Sequence, residues 1–209
     1  MRQLRHAVVI GIAVGTLMAV ASGAQAHRKV VSFSPGEMSI TGGGGVQDFV
    51  SSRMRSVTQL GAEWDARVLF GTKVPIAFEA GYVGTYNALN SASFGSSGVA
   101  PFMLNNGVDG ALRINLLPWR VDPFIFGGLG YNHAQIMNRA DNVALASQFR
   151  RQDDQLIVLA GAGLAGYLGK HAALDARFTY RAVFLDDINI VDHGRQDQWV
   201  VSARAGYAF

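Results

Sequence analysis

The final residues of the chain alternate in character. Trp199, Val201, Ala203, Ala205, Tyr207 and Phe209 share one parity; Gln198, Val200, Ser202, Arg204, Gly206 and Ala208 share the other. A helix would group Trp199, Ala203 and Gly206, which makes no apolar stripe, whereas a strand separates the two sets. The same period recurs upstream. Leu174, Ala176, Phe178, Tyr180, Ala182 and Phe184 oppose Asp175, Arg177, Thr179, Arg181 and Val183. Leu60, Ala62, Trp64, Ala66, Val68 and Phe70 oppose Gly61, Glu63, Asp65, Arg67 and Leu69. Val74, Ile76, Phe78, Ala80, Tyr82 and Tyr86 oppose Ala77, Glu79, Gly81 and Thr85. Val108, Leu112, Ile114 and Leu116 oppose Asp109, Ala111, Arg113 and Asn115. In each of these segments the charges keep to one parity, as in strands with one apolar and one polar face.

Three less regular segments complete the set. Residues 122–136 place Ile125, Leu129 and Tyr131 against Phe126, Gly128 and Asn132, and residues 154–168 are apolar on both parities, with Gly161 and Gly163 on one. Residues 38–47 carry Gly42, Gly43, Gly44 and Gly45. Glycine weakens a strand, but on an inward face it leaves room for a bulky charged neighbour. The total is eight strands. Connections are short at 71–73, 117–120 and 169–171, and long at 48–56, 88–100, 137–153 and 188–196. Short turns on one rim and long loops on the other are the arrangement of a transmembrane barrel.

In lipid the sheet must close, because every backbone group has to be satisfied internally. Eight strands give an interior just wide enough for side chains. A soluble barrel would turn its apolar face inward, but here that parity is too broad and aromatic to face water. The fold predicted is all-β: an eight-stranded, antiparallel, up-and-down transmembrane β-barrel over residues 36–209. The charged parity then lines the lumen. It carries Glu63, Asp65, Glu79, Asp109 and Asp175 against Arg67, Arg113, Arg177, Arg181 and Arg204. These charges sum to zero, which favours a plug of paired charges over a wet pore, since an unpaired buried charge costs about 3–5 kcal/mol. For Arg177, the neighbour Asp175 is expected not to be the partner, because adjacent strands place other side chains opposite it. Glu63, Asp65, Glu79 and Asp109 stay open. Phe70, Trp119 and Phe209 fall near the short-turn rim, and Tyr82, Tyr86, Tyr131, Phe184 and Trp199 toward the long-loop rim, as two interfacial girdles.

The start of the chain has a different character. Arg2 and Arg5 precede an uncharged apolar core at 7–21, and Ala24-Gln25-Ala26 fits a small-x-small cleavage site. Residues 1–26 therefore read as a cleaved secretory signal peptide, and the core is short for a spanning helix. Residues 27–35 are expected to be a short periplasmic segment. The chain has 209 residues and no cysteine, which removes disulfides, thiol nucleophiles and cysteine metal sites. Two of the 18 basic residues leave with the signal and none of the 15 acidic ones, so the mature formal charge is +1. With no basic run either, nucleic acid is not an expected partner.

The chain resembles the small outer-membrane β-barrel family, which includes the membrane domain of outer-membrane protein A. Three stretches carry the resemblance: Pro123-Phe124-Ile125-Phe126-Gly127-Gly128-Leu129-Gly130-Tyr131, Leu174-Asp175-Ala176-Arg177-Phe178-Thr179-Tyr180-Arg181, and Ala205-Gly206-Tyr207-Ala208-Phe209. It implies residence in the outer membrane of a Gram-negative cell and contact with outer-membrane lipids, including lipopolysaccharide. The terminal Phe209, with Tyr207 two residues before it, resembles the signal read by the barrel-assembly machinery, although Arg204 stands where the upstream glycine is usual. A monomer is expected, with no peptidoglycan-binding domain after the barrel.

Candidates for chemistry are few. Some barrels of this size trim lipid A, which would need a serine activated by a histidine held by a third group. His133 shares the lipid-facing parity of Leu129 and Tyr131 near the long-loop rim and is the best base. Asn106 is its polar neighbour, no outward serine is near, and Ser202 faces inward. The His-x-Ser-Asn run expected of lipid A deacylases is missing from the sequence. An interfacial polar residue is the plainer reading of His133. His27, His133, His171 and His193 are scattered, without ligand spacing. Asp186, Asp187 and Asp192 could hold a divalent cation weakly, but read better as a solvated acidic loop. The expectation is a non-enzymatic structural barrel without metal or cofactor, presenting surface loops. A lipid A-modifying enzyme or a narrow transport channel are the alternatives.

Overall fold

The structure is a computed structural model that describes residues 38–72, 74–90, 100–117, 121–137, 152–168, 171–184 and 196–209. These contain eight strands: β1 (Met38–Phe49), β2 (Gly61–Phe70), β3 (Ile76–Ala88), β4 (Phe102–Asn115), β5 (Val121–Met137), β6 (Gln152–Leu168), β7 (Ala172–Phe184) and β8 (Gln198–Ala208). Each pairs antiparallel with its sequence neighbour, and β8 returns to β1, closing the barrel. The signal peptide (1–26), the periplasmic segment (27–35) and Trp119 lie outside the described residues.

Period two decides which side chains face out. Ile76, Phe78, Val108, Leu112, Leu129, Leu164 and Phe178 are exposed, while the alternate positions Glu79, Arg113, Arg177 and Arg204 are buried. The distribution is inside-out relative to a soluble barrel, and it matches a lipid-facing exterior around a polar interior. A tilted strand crosses a bilayer in about 9–11 residues. The 17 residues each of β5 and β6 therefore give that hairpin length to spare.

The structure departs from the sequence reading in three places. A helix, α1 (Ser52–Val57), occupies the first long connection, where the sequence pattern predicts only a loop. At six residues it is too short for a periodic signal. It is held by Thr58, whose N and Oγ1 donate to the Met54 carbonyl at 2.9 and 2.8 Å. Second, β4 starts at Phe102 rather than near Val108. Asn105 and Asn106 hide the alternation there, because one amide faces the lumen and the other the exterior. Third, Val74 is buried rather than outward. It precedes β3 in a turn where Gly71 takes φ 90°, a backbone open to glycine.

Glycines and large side chains are matched across the lumen wall. Gly161 and Gly163 on β6 pair with Phe126 and Phe124 on β5. A Cβ on Gly163 would stand 2.5 Å from the Phe124 ring and 2.9 Å from Arg177 Cβ. On β1, Gly43 pairs with Arg204, and a Cβ there would stand 2.8 Å from Arg204 Cγ.

Two substitutions test this register. Ala203 faces out and Ser202 is buried inside. Ala203→Arg is expected to destabilise the barrel by about 2–4 kcal/mol if it lies near the bilayer midplane. Spin labels at 202 and 203 in lipid vesicles should report a polar, enclosed site and a lipid-accessible site respectively. Equal accessibility would refute the register.

Candidate functional site

All ten charged positions expected in the lumen face inward. Nine are buried, and Asp109, half-buried overall, has a side chain that is only 6% exposed. Eight of them join in one chain of contacts. Arg67 grips Asp109 with both terminal nitrogens, at 2.5 and 2.8 Å, and reaches Asp65 through Nε at 3.0 Å. Arg204 donates from Nε to the same Asp65 oxygen at 2.5 Å and from Nη1 to Asp175 at 3.0 Å. Arg177 holds Asp175 through Nε and Nη2 at 2.9 and 3.0 Å, and Glu79 through Nη1 and Nη2 at 2.7 and 3.1 Å. Arg113 closes the set on Asp175 at 3.3 Å.

Glu63 and Arg181 make a separate, looser pair at 3.7 Å. Among the described residues, the Glu63 oxygens accept no hydrogen bond.

One expectation is overturned here. Asp175 is a partner of Arg177, alongside Glu79. Residues two apart on a strand point to the same side, and in a narrow barrel a long arginine folds back along its own strand as readily as it crosses. Glu79, one of the four acids left open, takes the rest of the guanidinium's fork.

The sequence reading also missed neutral members of the site. Arg113 donates from Nε to Asn115 at 2.6 Å, and its guanidinium lies 3.5 Å above the Phe124 ring. Arg177 lies 4.8 Å from the Phe126 ring. Such stacking is attractive in a desolvated setting. The β4–β7 wall is thus partly apolar, with Phe124, Phe126, Ile157, Leu159 and Val183 in one cluster. The signal was present in the sequence: both phenylalanines share Asn132's inward parity, opposite the two β6 glycines.

Toward the long-loop end the lumen changes chemistry. Amides predominate beside two further buried acids that the sequence did not single out, Asp153 and Asp197: Gln47 bonds Asn87, Asn105 donates to Thr85 at 2.9 Å, and Gln155 to Gln196 at 3.2 Å. Above them Phe49, Leu89, Met103, Ala134 and Ile136 pack together with Met54 of α1. The short first helix thereby places an apolar side chain over the barrel's mouth.

At the short-turn rim, the Tyr207 ring stacks on His171 at 4.9 Å and meets Phe209 edge-on at 5.0 Å. The Phe209 amide donates to the Met38 carbonyl at 2.8 Å, tying the end of the chain to the start of β1. On the outer face, His133 Nδ1 is 2.7 Å from Asp154 Oδ1. This supplies the orienting group a catalytic histidine would need. Asn106, Tyr131, Gln135, Leu104 and Leu156, the outward residues beside it, bring no serine. Asp186, Asp187, Asp192 and His193 lie outside the described residues.

No family model matches the chain, and no curated protein matches its sequence. Solved structures do. Ail, the attachment invasion locus protein of Yersinia pestis, superposes with a TM-score of 0.51 at 15% identity, over 84% of this chain and 100% of that one. Neisserial surface protein A gives a TM-score of 0.54 at 15% identity, over 82% of this chain and 97% of that one. The chain has the fold of the small outer-membrane barrels. At this identity the likeness concerns the architecture, and the side chains inside the barrel have to be read from this chain itself.

The network predicts a coupled loss. Arg177→Ala is expected to destabilise the folded barrel by about 3–5 kcal/mol, because Glu79 is left buried without its partner. Adding Glu79→Gln should recover part of that loss, as contacting residues are non-additive. Urea unfolding in lipid vesicles, followed by heat-modifiable gel mobility, measures both. Separately, Gly163→Val should cost about 1–3 kcal/mol by overpacking Phe124.

Proposed function

We propose that the protein is a non-enzymatic, structural barrel of the outer membrane that anchors in the envelope, presents loops at the surface and keeps its lumen plugged. The observation that carries this reading is the connected set of eight inward charges, four acids with four arginines. Each arginine in it contacts at least one carboxylate at hydrogen-bond distance. In a low-dielectric interior such pairs hold when every member is matched, and they open at high cost. The apolar cluster under α1 adds a second, dry barrier above them. The long connections at 48–56, 88–100, 137–153 and 188–196 would then face the cell exterior, and lipids, lipopolysaccharide among them, would surround the apolar belt. Tyr207 and Phe209 would serve the barrel-assembly machinery during insertion, after which the barrel would stand as a monomer.

Planar-bilayer recording tests the plug. The wild-type barrel is expected to carry no large steady current, whereas the doubly truncated Arg177→Ala/Glu79→Ala barrel should conduct. A large conductance in the wild type would favour a channel. Protease added to intact cells should cut within 90–98 or 137–153. Cleavage confined to 71–73 or 169–171 would invert the topology. An unchanged lipid A mass after expression is expected, and a change would favour the enzyme.

A further inference from the structure

Among the described residues, the polar side chains of the lipid-facing strand positions gather on one side of the barrel, in a row that Gln135 and Gln152 extend toward the long loops. Cross-strand pairing aligns Trp64 on β2 with Gly84 on β3, Asn106 on β4, His133 on β5 and Asp154 on β6. All five have outward parity. The row is already organised. Tyr82 donates its hydroxyl to Asn106 Oδ1 at 2.5 Å, His133 pairs with Asp154 at 2.7 Å, and the Tyr131 hydroxyl also bonds Asp154. The Trp64 indole lies against Gly84, where a side chain would collide with it.

A general interfacial ring would run around the whole barrel. This one does not. At the long-loop ends of the other strands, β1, β7 and β8, the outward positions include Val46, Phe184 and Trp199. Asp48 is the polar exception, and its carboxylate accepts the Phe49 amide at 2.8 Å.

We propose that the Trp64–Asn106–His133–Asp154 row binds the saccharide headgroup of a glycolipid in the outer leaflet. The chemistry of the row selects this class. Asp154 accepts from His133 Nδ1–H, which leaves Nε2 as the ring nitrogen turned to a ligand hydroxyl. Asn106 offers an amide donor, Asp154 a second acceptor oxygen, and Trp64 a flat face for the C–H side of a sugar ring. A bare phosphate fits poorly, because Asp154 repels it and no arginine or lysine stands in the row. The lipid source follows from what lies next to the row. Two to four residues toward the short-turn end, Val108, Leu129 and Leu156 are exposed, at 60%, 59% and 40%, a surface for acyl chains. Hydroxyl-binding groups directly above an acyl-binding face match an amphiphile with a sugar head.

The inference rests on the outer-membrane reading above. Its test is native mass spectrometry of the folded barrel in mild detergent, titrated with lipooligosaccharide, with a phospholipid of matched chain length, and with the delipidated core oligosaccharide. Lipooligosaccharide is expected to bind about tenfold tighter than phospholipid, and His133→Ala and Asp154→Asn should each remove about that factor, the loss of one or two net hydrogen bonds. Trp199→Phe, on the other wall, should change nothing, and the free oligosaccharide should compete weakly. Asp154→Asn preserves shape, so the test stands even where His133→Ala barrels fold poorly. Unchanged lipooligosaccharide binding in both variants, equal loss of both lipids, or full competition by the free oligosaccharide would each overturn the proposal. A wild type that fails to insert into vesicles would overturn this and the outer-membrane reading together. Insertion without preferential binding overturns this one alone.

Discussion

A closed eight-stranded sheet leaves its inward side chains no exit. Every charge on that parity has to find its counterion within a lumen barely wider than the side chains themselves. In this barrel four arginines meet most of it by each bridging more than one group, while Arg181 stands loosely beside Glu63. Asp65 and Asp175 are the junctions: Asp65 joins Arg67 to Arg204, and Asp175 joins Arg204, Arg177 and Arg113. The planar fork of arginine suits this, since one guanidinium can satisfy two carboxylates in fixed directions. Much of the remaining interior is arranged around these junctions.

Space for the network comes from residues with no charge. Gly43, Gly81 and Gly163 lie beside Arg204, Arg67 and Arg177, each where a Cβ would press on the arginine. On β5, next to Gly163, the Phe124 and Phe126 rings back Arg113 and Arg177. A dry aromatic surface lowers the local dielectric and strengthens the pairing beside it, and it raises the cost of losing any one partner. Glycine, aromatic and ion pair therefore act as one unit, and no single class of residue accounts for the filled lumen.

The exterior follows a different logic. Around most of the barrel it answers only to lipid, and small and large apolar residues alternate without a specific pattern. The two rims are where the surface becomes particular. Near the short turns the His171–Tyr207–Phe209 stack gathers three rings at the seam that closes the sheet. Near the long loops the β4–β6 wall carries polar groups that hold one another in place, and α1 folds Met54 into the apolar mouth. Both ends thus add structure that a uniform lipid-facing cylinder would not require.

Strand number, the two faces within the strands and ten of the buried charges were legible in the sequence, because a period of two assigns each side chain to a face whatever the neighbouring strands do; Val74, Asp153 and Asp197, at or beyond strand ends, were not. The glycines of β1 and β6 could be read as space for large neighbours on the same ground. The pairing itself was not legible. Asp175 and Glu79 stand two and 98 residues from Arg177, and both bind it, because reach across a narrow lumen depends on how the strands are staggered. Parity is a local property of the chain, whereas stagger is set when the whole sheet closes. The same holds for α1, stabilised by an apolar mouth that exists only once Phe49, Leu89, Met103 and Ile136 converge, and for the row from Trp64 to Asp154. Its members lie on five different strands, brought into line only by the closed sheet.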